Sequence, residues 1–171
     1  MRPREFCSAL FLVFLCNPGA ATEVVLSNNE FQVHRDFARM VFTPSEAREQ
    51  TFYFDLKGLV ERTTLPGKEA EDVGKAADEL LRSALRLVPA KSDAKYFIQM
   101  RVDRLTDYAI RNPSRVPASG LVMISLCRLP IQDVAADCGN LMFYYFGTFQ
   151  GVDVLKKVFP IWTAMTLQSS R

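Results

Sequence analysis

Residues 68–110 constrain the fold most, because the spacing of their apolar positions changes from a helical to a strand pattern. The first part has apolar residues three and four apart, which places them on one stripe of a helix. Pro89 ends that helix, since proline lacks the amide N–H and clashes with the preceding turn. The stripe comprises Val73, Ala76, Ala77, Leu80, Ala84, Leu87 and Val88.

A strand follows the helix after a short polar link at 91–93. Apolar and polar residues alternate there, which is typical of a strand with one buried face and one more exposed face. A helix followed by a strand predicts an α+β domain. The buried set is Tyr96, Ile98, Met100 and Val102, and the exposed set is Phe97, Gln99, Arg101 and Asp103.

The first 21 residues have the features of a signal peptide. Arg2 and Arg4 provide positive charge, and the apolar run at 6–16 is shorter than the roughly 20 residues that cross a bilayer. A small-x-small pattern ends at Ala21, so Thr22 is the predicted first mature residue. We therefore expect a signal peptide at 1–21 and a single exported α+β domain at 22–171.

Cys16 suggests a second way of processing the N-terminus. Bacterial lipoproteins are cleaved directly before a cysteine that receives lipid, but here the bulky Leu15 occupies the position that normally carries a small residue. The chain is thus expected to be periplasmic or secreted, with lipid anchoring through Cys16 as the alternative. No later apolar run is long enough to span a membrane, so membrane contact is peripheral at most.

Two cysteines, Cys127 and Cys138, remain after removal of the signal peptide. An even number of cysteines in an exported chain favours a disulfide. The strands predicted at 120–129 and 141–149 flank a polar turn, so antiparallel pairing would bring both cysteines together. These two thiols and His34 do not supply four zinc ligands, so no metal or cofactor is predicted.

Several further elements complete the predicted fold. An edge strand is expected at 22–26 and a strand, interrupted near Arg35, at 31–42. Thr43 and Glu46 form a capping box, which predicts a helix at 44–50. Residues 51–62 are ambiguous between strand and helix.

The last predicted element is a helix at 152–165, although Pro160 interrupts its apolar pattern. The order of the elements predicts a mostly antiparallel sheet of three to five strands with helices packed on one face.

The stretch at 68–150 resembles small α/β domains of bacterial envelope lipoproteins and of periplasmic proteins of unknown function. The resemblance rests on a helix of the 77–87 kind, a following strand of the 96–102 kind and a hairpin. It implies an envelope location, but it carries no motif residues and therefore transfers no functional site.

The sequence contains no recognisable catalytic grouping. It has one histidine, His34, no Gly-x-Ser-x-Gly elbow and no glycine-rich phosphate loop. Asp103 and Asp107 would share one side of a strand, and paired carboxylates can hydrolyse glycosidic bonds. A solvated strand face explains the same pair, so a hydrolase is the weakest functional hypothesis.

The overall charge argues against a nucleic-acid partner. The net charge is +2, the sequence pI is about 8.4, and the basic residues are scattered along the chain. We expect a non-enzymatic binding or assembly module of the bacterial envelope, with a protein partner or further copies of itself. The alternative is a small carrier with an apolar or lipid ligand in a pocket lined by strand 141–149. The predicted ligand or partner surface is Phe143, Tyr145, Phe149 and Trp162.

Overall fold

The computed structural model describes residues 22–106 and 109–168. The predicted signal peptide, with Cys16, and the candidate Asp107 lie outside the described residues. The strands are β1 (Glu23–Ser27), β2 (Phe31–Phe37), β3 (Phe52–Phe54), β4 (Tyr96–Arg104), β5 (Gly120–Arg128) and β6 (Cys138–Tyr145). The helices are α1 (Pro44–Glu49), α2 (Leu56–Arg62), α3 (Gly67–Ala84), α4 (Val134–Asp137) and α5 (Gly151–Thr166).

The strands form one mixed sheet in the order β1-β2-β6-β5-β4-β3. Only the β3–β4 pairing is parallel, and the other pairings are antiparallel. The α+β class is therefore confirmed, whereas the predicted three to five strands are too few, because the sheet has six. The additional strand, β3, has three residues, and its partner β4 follows more than forty residues later in the chain. Such a short, non-local pairing leaves little local signal.

The main hydrophobic core lies between the sheet and four of the helices. Side chains from α1, α2, α3 and α5 pack in one cluster with the apolar residues of the strands, so these helices cover one face of the sheet. The one-turn helix α4 packs on the opposite face. The largest fully buried side chains are Trp162, Phe52, Phe143, Leu59, Leu81 and Ile98.

The buried stripe of α3 differs from the predicted one. It comprises Ala70, Val73, Gly74, Ala77 and Leu81, and the helix ends at Ala84 rather than at 88. The next residues leave the helix because they bond to β3. The amide of Phe52 donates to the carbonyl of Arg86 at 3.0 Å, and the amide of Val88 donates to the carbonyl of Phe52 at 2.8 Å.

The region before α1 also departs from the prediction. Strand β2 ends at Phe37, whose φ of 65° turns the chain out of the sheet. Of the residues that follow, Phe42 alone makes an isolated bridge, to Leu167. The helix predicted at 44–50 is confirmed as α1. Thr43 accepts a hydrogen bond from the Glu46 amide, and the Glu46 carboxylate accepts one from the Thr43 amide.

The ambiguous stretch at 51–62 divides into β3 and α2. Asp55 separates the two elements, because its carboxylate caps α2 by accepting the Gly58 amide at 3.0 Å. The C-terminal helix α5 continues past Pro160, as its apolar spacing predicted. Pro160 is exposed, so water can reach the carbonyl that the missing proline N–H leaves free.

Candidate functional site on the second face of the sheet

The second face of the sheet is the one turned away from α3 and α5. Directly opposed residues in neighbouring strands share a face, so the register divides this face into four cross-strand rows. They are the cysteine row (Tyr53, Phe97, Cys127, Cys138), the polar row (Gln99, Ser125, Asn140, Asp36), the methionine row (Arg101, Met123, Met142, His34) and the tyrosine row (Asp103, Leu121, Tyr144, Gln32).

The cysteine row forms one end of this face. Cys127 and Cys138 are directly opposed in β5 and β6, their Cα atoms are 4.0 Å apart, and their sulfurs are bonded. The predicted disulfide is therefore present in the structure, and so is the hairpin that it links. Ile131 and Val134 from the β5–β6 connection pack on the buried disulfide and Phe97.

The connection between β5 and β6 is held by the carboxylate of Asp137. It accepts the guanidinium of Arg128 at 2.9 Å and the amides of Gln132 and Asp133 at 2.9 and 3.0 Å. The Asp133 amide contributes most, followed by Arg128 and the Gln132 amide, and together they lower the pKa of Asp137 to about 2. Asp137 is therefore ionised at neutral pH and keeps the turn closed.

The tyrosine row forms the other end of the face, and its two central residues, Leu121 and Tyr144, lie in a hydrophobic cluster. Leu105, Ile110 and Ala118 from the β4–β5 connection pack with Tyr144 and its neighbours in a separate hydrophobic cluster. The two middle rows thus lie between this cluster and the cluster around the disulfide.

The polar row contains buried groups that lack hydrogen-bond partners. Ser125 donates to Asn140 Oδ1 at 3.1 Å, and both residues are 1% exposed. Oε1 of Gln99 and Oδ1 of Asp36 are buried without a partner among the described residues. The polar row is thus enclosed in the folded chain, and the Gln99 side chain also bonds to the carboxylate of Asp55.

His34, in the adjacent methionine row, is also buried without a partner at Nε2. Its ring lies edge-on to the ring of Tyr144, with centroids 5.0 Å apart. Burial lowers the pKa of His34, and the nearby charge of Asp36 opposes this shift only in part. A lowered pKa favours the neutral imidazole at pH 7.

Asp103 is occupied by structural contacts. Its carboxylate accepts the amide of Thr64 at 2.9 Å and forms an ion pair with Arg101. The predicted carboxylate pair with Asp107 remains a prediction, because Asp107 is not described. The prediction that this side of β4 is the more exposed one is wrong, since Gln99 and Asp103 are both buried. Neighbouring strands and the connections over the face remove them from water.

The aromatic residues predicted to form a ligand or partner surface are instead part of the core. Phe143 and Trp162 are 0% and 2% exposed, Tyr145 is buried, and Phe149 packs against the same core cluster. They lie on the helix-covered face, because β6 directs Phe143 and Tyr145 toward α5. Trp162 lines a depression of about 20 Å³, which is room for about one water molecule and not for a lipid.

The described residues offer no obvious catalytic or metal chemistry. Within residues 22–106 and 109–168, no three His, Cys, Asp or Glu side chains converge as metal ligands, and no helix is long and apolar enough to cross a membrane. Ser125 donates to an amide oxygen and not to a base. The second face combines hydrogen-bonding side chains in its polar row with apolar side chains in its cysteine row.

No known family model and no curated protein matches this sequence. Its fold resembles the crystal structure of a DUF4136 family protein from Bacteroides thetaiotaomicron, with a TM-score of 0.50 and 13% identity over 81% of this chain and 99% of that one. This likeness shows a shared fold with a bacterial protein and nothing more specific.

Two structures of PelC from Paraburkholderia phytofirmans are also similar in fold, and both are dodecamers. Their TM-scores are 0.46 and 0.42, with 10% and 12% identity over 81% of this chain and 99% of each PelC chain. These similarities are too weak to bear on how this chain assembles.

Proposed function

We propose that this protein is an exported, non-enzymatic binding module of the bacterial envelope, and that the second face of its sheet contacts a protein partner. The observation that supports this proposal is the group of half-buried polar and apolar side chains that β2 and β6 present on this face, namely Gln32, His34, Asp36 and Met142. Protein interfaces combine apolar patches with directed hydrogen bonds, and this face has both.

A carrier function is less well supported. It requires a pocket lined by the aromatic side chains of strand β6, and those side chains fill the core against α5. Nucleophilic hydrolysis would require a base or a metal beside a nucleophile. Asp103 is tied to Thr64 and Arg101, and Ser125 to Asn140. The binding function needs neither feature.

Export is supported by two separate observations. The first 21 residues have a signal-peptide pattern, and disulfides such as Cys127–Cys138 persist in oxidising compartments. N-terminal sequencing of protein from the envelope fraction tests this part of the proposal. We expect a start at Thr22; a lipid-modified start at Cys16 means an anchored form, and an unprocessed N-terminus contradicts export.

Site-specific photocrosslinking in living cells tests the binding surface. A benzoylphenylalanine at Met142 or Gln32 would stand on the second face at half-buried positions. The matched control is Lys156, an exposed position of α5 on the other side of the sheet. We expect a discrete crosslinked protein from Met142 and Gln32 and none from Lys156.

Native mass spectrometry of the purified protein separates binding from carriage. A complex with a second protein, or with further copies of this chain, supports the binding module. A co-purified small apolar mass with an otherwise monomeric protein supports the carrier and contradicts the proposal. Equal crosslinking at Lys156 would contradict the assignment of the second face.

A further inference from the structure

We propose that a basic groove beside edge strand β3 binds an acidic segment of a protein partner. The groove consists of two adjoining depressions of about 310 and 220 Å³. Arg82 lines both of them, Arg48 and Arg86 line the larger, and Lys57 lines the smaller. These four cations define the basic groove.

Two of the four cations in the groove have an acidic partner among the described residues and two have none; Lys57 is paired with Glu61, with Nζ and Oε1 3.6 Å apart. Asp78 is the only carboxylate that lines it, and it is already paired with Arg82, with Nε and Oδ2 2.7 Å apart. Arg48 and Arg86 are exposed, and neither side chain has a partner in the part of the chain that the structure describes. Four cations in one groove are notable in a protein whose net charge is only +2.

The folded chain, and not the sequence, brings these residues together. Arg48 is near the end of α1, Lys57 is in α2, and Arg82 is in the last turn of α3. Cations at helix C-termini interact favourably with the helix dipole, and this interaction explains why positions 48 and 82 carry arginine. The helix dipole does not explain Arg86, which lies beyond the capping residue Leu85 and extends into the larger depression.

The chemistry of the groove favours carboxylates carried on a peptide. Guanidinium groups bind carboxylates with two parallel hydrogen bonds, and two of the three arginines are available for such pairs. The smaller depression also has an accessible apolar lining, from Leu56, Leu87 and Pro89, to which aliphatic side chains can pack. A segment that alternates acidic and apolar residues matches both parts of the groove.

The shape of the site distinguishes this partner from a membrane. Anionic lipid headgroups form a plane and are contacted by cations that project from a protein surface. Here the cations line two depressions, which a narrow chain enters more readily than a plane does. The groove reaches the second face of the sheet only at Tyr53, so the inference stands independently of the function proposed for that face.

Fluorescence anisotropy with the purified protein tests the inference. The probe is a labelled eight-residue peptide of alternating Asp and Leu, and its Asn–Leu counterpart is the uncharged control. We expect binding of the acidic peptide alone, with affinity decreasing as ionic strength rises. Arg86→Glu and Arg48→Glu are each expected to weaken binding by about tenfold or more, because a like charge replaces a partner.

Lys156→Glu is the matched control, since it makes the same charge change at an exposed position of α5. The melting temperature of Arg86→Ala is also measured, because an unchanged value shows that weaker binding does not result from loss of the fold. Equal weakening by Lys156→Glu, or equal binding of the Asn–Leu peptide, would overturn the proposal. So would an absence of peptide binding combined with Arg86-dependent binding to phosphatidylglycerol vesicles, which would identify a lipid surface as the ligand.

Discussion

Arg128 and Asp137 form an ion pair directly next to the disulfide, with Nη2 and Oδ1 2.9 Å apart. Each lies one residue from a bonded cysteine, so the pair and the disulfide close the same turn. The Asp137 carboxylate also accepts two backbone amides of that turn. The stability of the β5–β6 hairpin therefore depends on a charge as well as on a covalent bond.

The ionisation of Asp137 should make stability depend on acidity. Its pKa is lowered from 3.8 to about 2 in the folded protein, so its stabilising contribution is complete above about pH 4 and is lost as the pH falls toward 2. Asp137→Asn should remove this contribution. In urea titrations the wild type should exceed the variant in stability at pH 5, and the difference should shrink between pH 4 and 2.

Asp153→Asn is the control, because Asp153 is exposed and in no ion pair of the described residues. A difference between wild type and Asp137→Asn that stays constant from pH 5 to 2 would refute the role of the charge.

Removal of the disulfide should destabilise the protein substantially. The two cysteines are 11 residues apart, and closing a loop of about that length restricts the unfolded chain by roughly 3 kcal/mol. The Cys127→Ala/Cys138→Ala variant should lose about this much free energy of unfolding in denaturant titrations. Dithiothreitol should destabilise the wild type similarly and leave the double variant unchanged. Two reactive thiols in denatured, unreduced protein from the envelope would contradict the bond.

The crossing of α3 and α5 should tolerate no side chain at Gly151. A Cβ there would lie 2.7 Å from Cγ2 of Val73 and 2.9 Å from Cδ1 of Leu65. Gly151→Ala should therefore lower the free energy of unfolding by about 1–3 kcal/mol through overpacking. Gly67→Ala, at the start of α3, has no atom within 4 Å of its new Cβ and should be neutral or stabilising. Equal thermal stability of the two variants would contradict this helix contact.

The Ser125–Asn140 hydrogen bond should show the asymmetry of buried polar pairs. Ser125→Ala leaves Oδ1 of Asn140 without its donor and should reduce stability by about 1–3 kcal/mol. The double change Ser125→Ala/Asn140→Leu removes both polar groups and should recover most of that loss. Chemical denaturation of the two variants measures both effects. A double variant less stable than Ser125→Ala would refute this asymmetry.

Local signals in the sequence predicted much of the fold. The capping box at Thr43 marked the start of α1, and the alternating pattern from Tyr96 marked β4. Both rest on interactions between residues close in the chain. The hairpin with Cys127 and Cys138 was predictable for the same reason.

The remaining features depend on residues far apart in the chain. β3 exists because Phe52 bonds to Arg86 and Val88 and its strand pairs with β4. The polar row could not be recognised from sequence, since Gln99, Ser125 and Asn140 become neighbours only when the register of three strands is known. A serine or an asparagine inside an apolar strand was the only available signal.

The two edges of the sheet are finished differently. On the β3 side, residues 86–88 bond to β3, and Thr64 binds both the Asp103 side chain and the Arg104 amide where β3 has ended. On the other side, no described strand pairs with the outer edge of β1. Among the described strands, only β1 therefore offers a free edge for strand addition. If two copies pair β1 with β1 about a two-fold axis, the two outer edges of the joined sheet are the closed β3 edges. Growth by this route therefore stops at a dimer and cannot continue into a fibre.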